Sequence, residues 1–204
     1  MKTEYIAHRV NTVEALKNLS HEFGVELDLR DEAGELIISH DPFVMGESFE
    51  AYLQAYHHGT MILNIKSERI EHRVLELIRK YEIRSYFFLD SSFPMIFLLS
   101  KEGERNVALR FSEFEGLDTL RNMAGMVDWV WVDCFTKLPL NSSDYNALKA
   151  MGYKLCLVSP ELQGRDNDIE AYKAQLASDG IIFDAICTKS YNISRWYDKG
   201  MRHK

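Results

Sequence analysis

Along this chain, short runs rich in branched and aromatic residues alternate with segments whose apolar residues recur at three- and four-residue intervals. The short runs predict strands over residues 4–8, 25–29, 61–66, 85–90, 107–110, 129–133, 154–159 and 184–188. The longer period predicts helices or single turns over 12–19, 48–56, 70–81, 93–99, 117–123, 142–151, 169–178 and 193–197. Ser142 and Asp168 suit N-caps, because a short side-chain oxygen can accept a free helical N–H, and Gly152 suits a C-terminal stop. Eight strands, each followed by a helical pattern, predict an α/β fold built as a compact, closed (β/α)8 TIM barrel of parallel strands with outer helices. A doubly wound parallel sheet is consistent with the same alternation.

A barrel collects its chemistry at the C-terminal ends of its strands, and that is where the charges of this sequence fall. His8 and Arg9 end the first strand and Glu26 and Asp28 the second. Side chains alternate along a strand, so Glu26 and Asp28 share a side, as do Asn64, Lys66 and Glu68. Asp90, Arg110 and Asp133 close the next three strands. Charges buried singly cost several kcal/mol each, so opposite charges gathered around a polar ligand are the more economical arrangement. His57 and His58 precede a strand and belong to the opposite end, while His21, His72 and His203 read as helix-surface or tail residues without a partner.

Composition narrows the classes of function. A chain of 204 residues with 46% hydrophobic content and no linker-like break fits one domain over 1–204. A formal charge of −7 without a basic run argues against nucleic acid as a partner. The start, MKTEYIAHRV, lacks the apolar core of a signal peptide, and no stretch approaches the roughly 18 apolar residues of a transmembrane segment, so a cytoplasmic location is expected. Cys134, Cys156 and Cys187 lie in or beside apolar strands without metal-ligand spacing, and read as buried, reduced thiols. Trp129 and Trp131 share one face of the sixth strand, and Tyr191 and Trp196 follow the eighth. Such aromatics serve either the core or a leaving-group pocket.

The run AHRVNTVEALKNLSHEFGVELDLRDEAGELIISHDPF resembles the N-terminal signature of the glycerophosphodiester phosphodiesterases, within the superfamily of phosphatidylinositol-specific phospholipase C-like barrels. The resemblance is carried by His8-Arg9, Asn11-Thr12, Glu26-Leu27-Asp28 and His40-Asp41-Pro42, and more weakly by ILNIK at 62–66 and Ser92-Phe93. It implies a phosphoric diester hydrolase in which His8 and His40 serve as general acid and base, a role open to imidazole because it titrates near neutral pH. Arg9 and Lys66 would then hold the phosphate oxygens of a small-molecule or headgroup phosphodiester. Glu26, Asp28 and Asn64 would bind one divalent cation, Mg²⁺ or Ca²⁺, through hard oxygen ligands.

Three positions depart from that pattern. Val10 stands where the family has glycine, Asn64 replaces a carboxylate of the family's Glu-x-Lys, and Lys189 stands where an acid is usual. Losing a negative charge at position 64 implies a weakly held cation, with Glu68 placed to compensate through water. The short interval from His40 to Asn64 leaves no room for the family's capping segment and implies an open mouth. Two further readings fit the same residues: a related barrel acting on a lipid or glycan phosphodiester, and a non-catalytic phosphate-binding module. Retention of both histidines favours an enzyme.

Overall fold

The computed structural model describes residues 2–197, so His203 lies outside the described residues. Strands occupy all eight expected positions: β1 (Glu4–Ala7), β2 (Gly24–Glu32), β5 (Met61–Ile65), β6 (Tyr86–Leu89), β7 (Ala108–Phe111), β8 (Trp129–Val132), β9 (Lys154–Val158) and β10 (Ala185–Thr188). Between β2 and β5 lie two strands that the periodicity does not announce, β3 (Glu35–Ile38) and β4 (Glu47–Ser48). β2 runs three residues past the expected end and turns back through Ala33 (φ 49°) and Gly34 (φ 87°). Two consecutive left-handed residues suit the tight, twisted hairpin that pairs Glu32 with Glu35. The helices are α1 (Val13–Asn18), α2 (Phe49–Gln54), α3 (Glu71–Lys80), α4 (Phe93–Lys101), α5 (Leu117–Met123), α6 (Ser142–Ala150), α7 (Ile169–Asp179) and α8 (Ile193–Trp196).

Two compact units make up the mixed α/β chain. The unit His8–Ala108 carries β2, β3, β4, β5 and β6. Its sheet runs β4-β3-β2-β5-β6, antiparallel through the hairpin and parallel from β2 onward. Leu27, Leu29, Ile62, Leu63 and Phe87 are buried at its centre, and Val74 and Ile78 of α3 are buried with them. The second unit joins Met1–Ala7 to Leu109–Lys204, and its strands follow the order β1-β10-β9-β8-β7. Parallel pairing joins β1 to β10, β10 to β9 and β8 to β9. Its strands read as continuous apolar runs because both faces are covered.

Several local expectations change. The N-cap of α6 is Asn141, whose Oδ1 accepts from Asp144 N at 3.0 Å, while Ser142 bonds the Asp179 carbonyl. Asp168 stands at the N-cap of α7, but its carboxylate takes Arg165 at 2.8 Å instead of a helical N–H. Gly152 follows Met151, the C-cap of α6, with φ 88°, the left-handed stop that glycine permits. His72 bonds Glu102 at 2.8 Å and His21 packs edge-on against His58, so neither is without a partner. Trp129, Trp131 and Trp196 are buried, Tyr191 is exposed, and the three cysteines are free and buried. Burial pushes the Cys134 thiol up to about 12, which keeps it protonated and unreactive. Among the described residues, no helix is long and apolar enough to cross a membrane.

Candidate active site

Every residue given an acid–base, phosphate or metal role falls within the unit His8–Ala108, whereas the strand-end charges Arg110 and Asp133 and the aromatics Trp129, Trp131, Tyr191 and Trp196 fall in the other unit. Glu26 and Asp28 alternate along β2 and are both fully buried, and the parallel register sets Asp28 beside Asn64 of β5. The chain turns sharply at Arg9 (φ 55°), so that the N–H groups of Arg9 and Val10 reach Glu26: the first meets Oε2 at 2.7 Å, the second the main-chain carbonyl at 2.9 Å. The Tyr52 hydroxyl closes the turn by donating to the Val10 carbonyl at 2.9 Å. His8 Nε2 stands 3.7 Å from Glu26 Oε2, and Asn64 Nδ2 donates to Glu26 Oε1 at 2.8 Å. Burial, and then the neighbouring Asp28 charge, push the Glu26 carboxyl up to about 7.

Asn11 clamps Asp28 from two sides, its amide donating to Oδ2 at 2.8 Å and its carbonyl accepting Asp28 N at 3.0 Å. Lys66 Nζ lies 3.6 Å from Asp28 Oδ1 and 3.4 Å from Asp90 Oδ2, bridging two carboxylates. The hairpin brings back the second histidine: Ser39 N bonds the Asp28 carbonyl at 3.0 Å, and His40 follows directly. His40 Nε2 sits 2.6 Å from Arg9 Nη2 and Nδ1 sits 2.7 Å from Asp41 Oδ1. A guanidinium only donates, so Nε2 is the acceptor and the proton resides on Nδ1, facing Asp41. That hydrogen bond holds the Asp41 carboxyl below its usual range. Arg30 fixes the loop from beneath, donating to the His40 carbonyl at 2.9 Å through Nη2 and to the Lys66 carbonyl at 2.9 Å through Nη1.

The structure therefore joins His8, Arg9, Glu26, Asp28, His40, Asn64 and Lys66 in one connected set. Glu68 is exposed, because the strand alternation that would have aligned it with Lys66 ends at Ile65. Three partners escaped the sequence reading. Arg30 lies two residues beyond Asp28, so the 26, 28, 30 alternation marked it, and Asn11 and Asp41 stand inside the quoted motifs without an assigned role.

As a cation site, the set offers oxygen. Asp28 Oδ1 and Asn64 Oδ1 are buried on paired positions without a hydrogen-bond partner, and a buried acceptor left open is costly unless something positive fills it. Among the described residues there is no group of three or more His, Cys, Asp or Glu that could hold a metal. Glu26, Asp28 and the Asn64 carbonyl are the oxygens that would hold a hard divalent ion, and Lys66 already supplies one positive charge beside Asp28.

Solved structures that share this fold include two phosphodiesterases. A glycerophosphodiester phosphodiesterase from Agrobacterium tumefaciens aligns with a TM-score of 0.65 and 16% identity, covering 93% of this chain and 98% of its own. A glycerophosphoryl diester phosphodiesterase from Parabacteroides distasonis aligns with a TM-score of 0.63 and 14% identity, covering 97% of this chain and 88% of its own. No family model and no curated protein matches the sequence. The α/β fold is thus that of glycerophosphodiester phosphodiesterases.

Proposed function

We propose that this chain is a phosphoric diester hydrolase of the glycerophosphodiester phosphodiesterase type, a single domain over 1–204 whose parallel strands close as a (β/α)8 barrel. It acts in the cytoplasm on a small-molecule or headgroup phosphodiester. The observation that carries the reading is the unbroken run of contacts from His8 through Glu26 and Arg9 to His40, with Asp28 and Lys66 attached. Five kinds of polar group meet there in an arrangement that a packed core does not require. Both structural neighbours carry phosphodiesterase names, and this supports the same reading.

Arg9 and Lys66 bind the non-bridging phosphate oxygens. Once Arg9 turns to the phosphate, His40 Nε2 presents a free lone pair that takes the proton of the attacking hydroxyl, water's or the substrate's own, as the new P–O bond forms, with Asp41 holding the ring in the tautomer a general base needs. His8, beside the Glu26 carboxylate, delivers a proton to the departing alkoxide. A divalent cation held by Glu26, Asp28 and Asn64 would, when bound, neutralise charge on the phosphodiester. Asn11 and Arg30 keep the carboxylate and the loop in place. The test is hydrolysis of a phosphodiester with an alkoxide leaving group, such as glycerophosphocholine. The wild type is expected to turn it over, and His8→Ala and His40→Ala should each lower kcat by about 10²-fold or more. If both variants match the wild type, the assignment fails and a phosphate-binding role replaces it.

A further inference from the structure

The loop between β3 and β4 begins as part of the site and ends as a surface feature. One foot is Ser39, bonded to the Asp28 carbonyl at 3.0 Å and, through Oγ, to the Asp41 carbonyl at 3.0 Å. The other foot is Gly46, where a Cβ would stand 2.3 Å from the Ile38 carbonyl oxygen, so only glycine lets the loop close. Between these fixed feet the tip carries Phe43, Val44 and Met45, which are 102%, 52% and 83% exposed. Phe43 has φ 61°, a left-handed backbone that costs an aromatic residue on the order of 1–3 kcal/mol. A sequence selected for stability alone would place glycine or asparagine there and would not hold a phenyl ring in water.

The tip also walls a groove of about 310 Å³, whose apolar lining is Ile37, Pro42, Phe43 and Val44 and whose polar lining is Arg30, Ser67 and the acids Asp31 and Glu32. Arg30 is the residue that bonds the His40 and Lys66 carbonyls, so the groove adjoins the phosphate-binding set. Elsewhere in this unit Phe93, half exposed, opens the segment after β6. The other unit, taken by itself, repeats the placement: Phe114, Phe135 and Tyr191 are exposed directly after β7, β8 and β10.

We infer that the 42–45 tip inserts into a zwitterionic phospholipid surface and that the substrate is a phosphodiester with an apolar portion, drawn along the groove. This inference rests on the hydrolase reading for its substrate, and the docking itself can be tested apart from it. A protein partner or second copy fits less well. Three side chains expose roughly a few hundred Å², whereas a stable interface buries about 800 Å² from each partner. A net charge of −7 disfavours anionic lipid, which leaves apolar insertion as the attraction. A lipid phosphodiester also unites, in one molecule, the anion that Arg9 and Lys66 would bind and the chains that Phe43 and Met45 would meet.

The test is flotation with phosphatidylcholine vesicles, with glycerophosphocholine turnover read on the same wild-type sample. Wild type is expected to float with the vesicles. Phe43→Gly/Met45→Ser should lower its partition by about tenfold or more, the glycine suiting the left-handed backbone so that the variant folds. Phe97→Ser, which removes an exposed aromatic on α4 of the same unit, should leave the partition unchanged. Flotation without turnover supports the docking loop and counts against the hydrolase reading alone. Turnover without flotation, or an equal loss in Phe97→Ser, overturns the inference. So does light scattering that shows self-association abolished by the double variant when the wild type fails to float, because the tip is then a protein contact.

Discussion

The two units treat their buried acids in opposite ways. In the unit Met1–Ala7 with Leu109–Lys204, each buried carboxylate among the described residues is fully engaged. Asp133 takes Arg110 at 2.5 Å and both Gln163 and its neighbour Cys134 N at 2.9 Å. Glu161 accepts the Ser159 and Thr188 hydroxyls and, at 3.0 Å, Lys189 N, while Trp196 Nε1 donates to Ser159 Oγ at 2.7 Å. In the unit His8–Ala108, Asp28 Oδ1, Asn64 Oδ1 and both oxygens of Glu71 lack a hydrogen-bond partner, although Lys66 Nζ pairs with Asp28 Oδ1 at 3.6 Å, and Glu26 is pushed up to about 7. Buried polar groups are satisfied by default, so the open oxygens of Asp28 and Asn64, on paired positions beside Glu26 and Lys66, make this half the one to search for a ligand. The other half reads as scaffold.

Removing the scaffold's hub should give the largest change in stability. Glu161→Ala leaves two buried hydroxyls and the Lys189 N–H without their acceptor, and denaturant unfolding should show a loss of about 3 kcal/mol. An unchanged midpoint would mean that this half is not held by its polar cluster.

A smaller effect sharpens the contrast from the other side. Asn64→Glu restores a third carboxylate next to Glu26 and Asp28, and should tighten Mg²⁺ by about tenfold, roughly 1.4 kcal/mol. Without metal the same variant crowds three acids and should melt lower, with Mg²⁺ restoring the loss. Calorimetric titration reads the affinity. No metal heat from either protein, together with full activity in excess chelator, would leave Lys66 as the cation of the site.

The smallest effect concerns a surface clamp of the scaffold. Burial raises the Glu113 carboxyl, but hydrogen bonds from Thr136 N at 2.6 Å, Lys137 N at 2.8 Å and the Thr136 hydroxyl at 2.9 Å outweigh it and draw it down to about 2. A folded value below the unfolded one stabilises fully above about pH 4.5 and is lost as pH falls toward 2. Glu113→Gln should therefore flatten that part of the acid unfolding curve by less than about 1 kcal/mol, and a curve that superimposes on the wild type would discount the clamp.

How much of this was legible follows from the period of each signal. Alternation on β2 exposed Glu26 and Asp28, and motif order supplied His8, Arg9 and His40. What alternation could not show is how His40 reaches Arg9, because the hairpin that returns it rests on two strands too short and too charged to stand out. The Asn64–Glu26 hydrogen bond was equally hidden, since an amide between acids reads from sequence as a lost ligand and not as a new donor. The Asn141 cap was obscured by Ser142 beside it, two residues of equal capping aptitude where only backbone geometry decides. Exposure of Phe43 and Met45 had no sequence signature, because an apolar trio between Pro42 and Gly46 reads as readily as core.

The division of labour between the halves can be tested in one experiment, with His40→Ala and Glu161→Ala assayed side by side for kcat on glycerophosphocholine and for the urea midpoint. The account predicts crossed effects: His40→Ala loses about 10²-fold or more in kcat with its midpoint nearly intact, and Glu161→Ala loses stability while the folded fraction keeps its kcat. A His40→Ala protein as active as the wild type would contradict it.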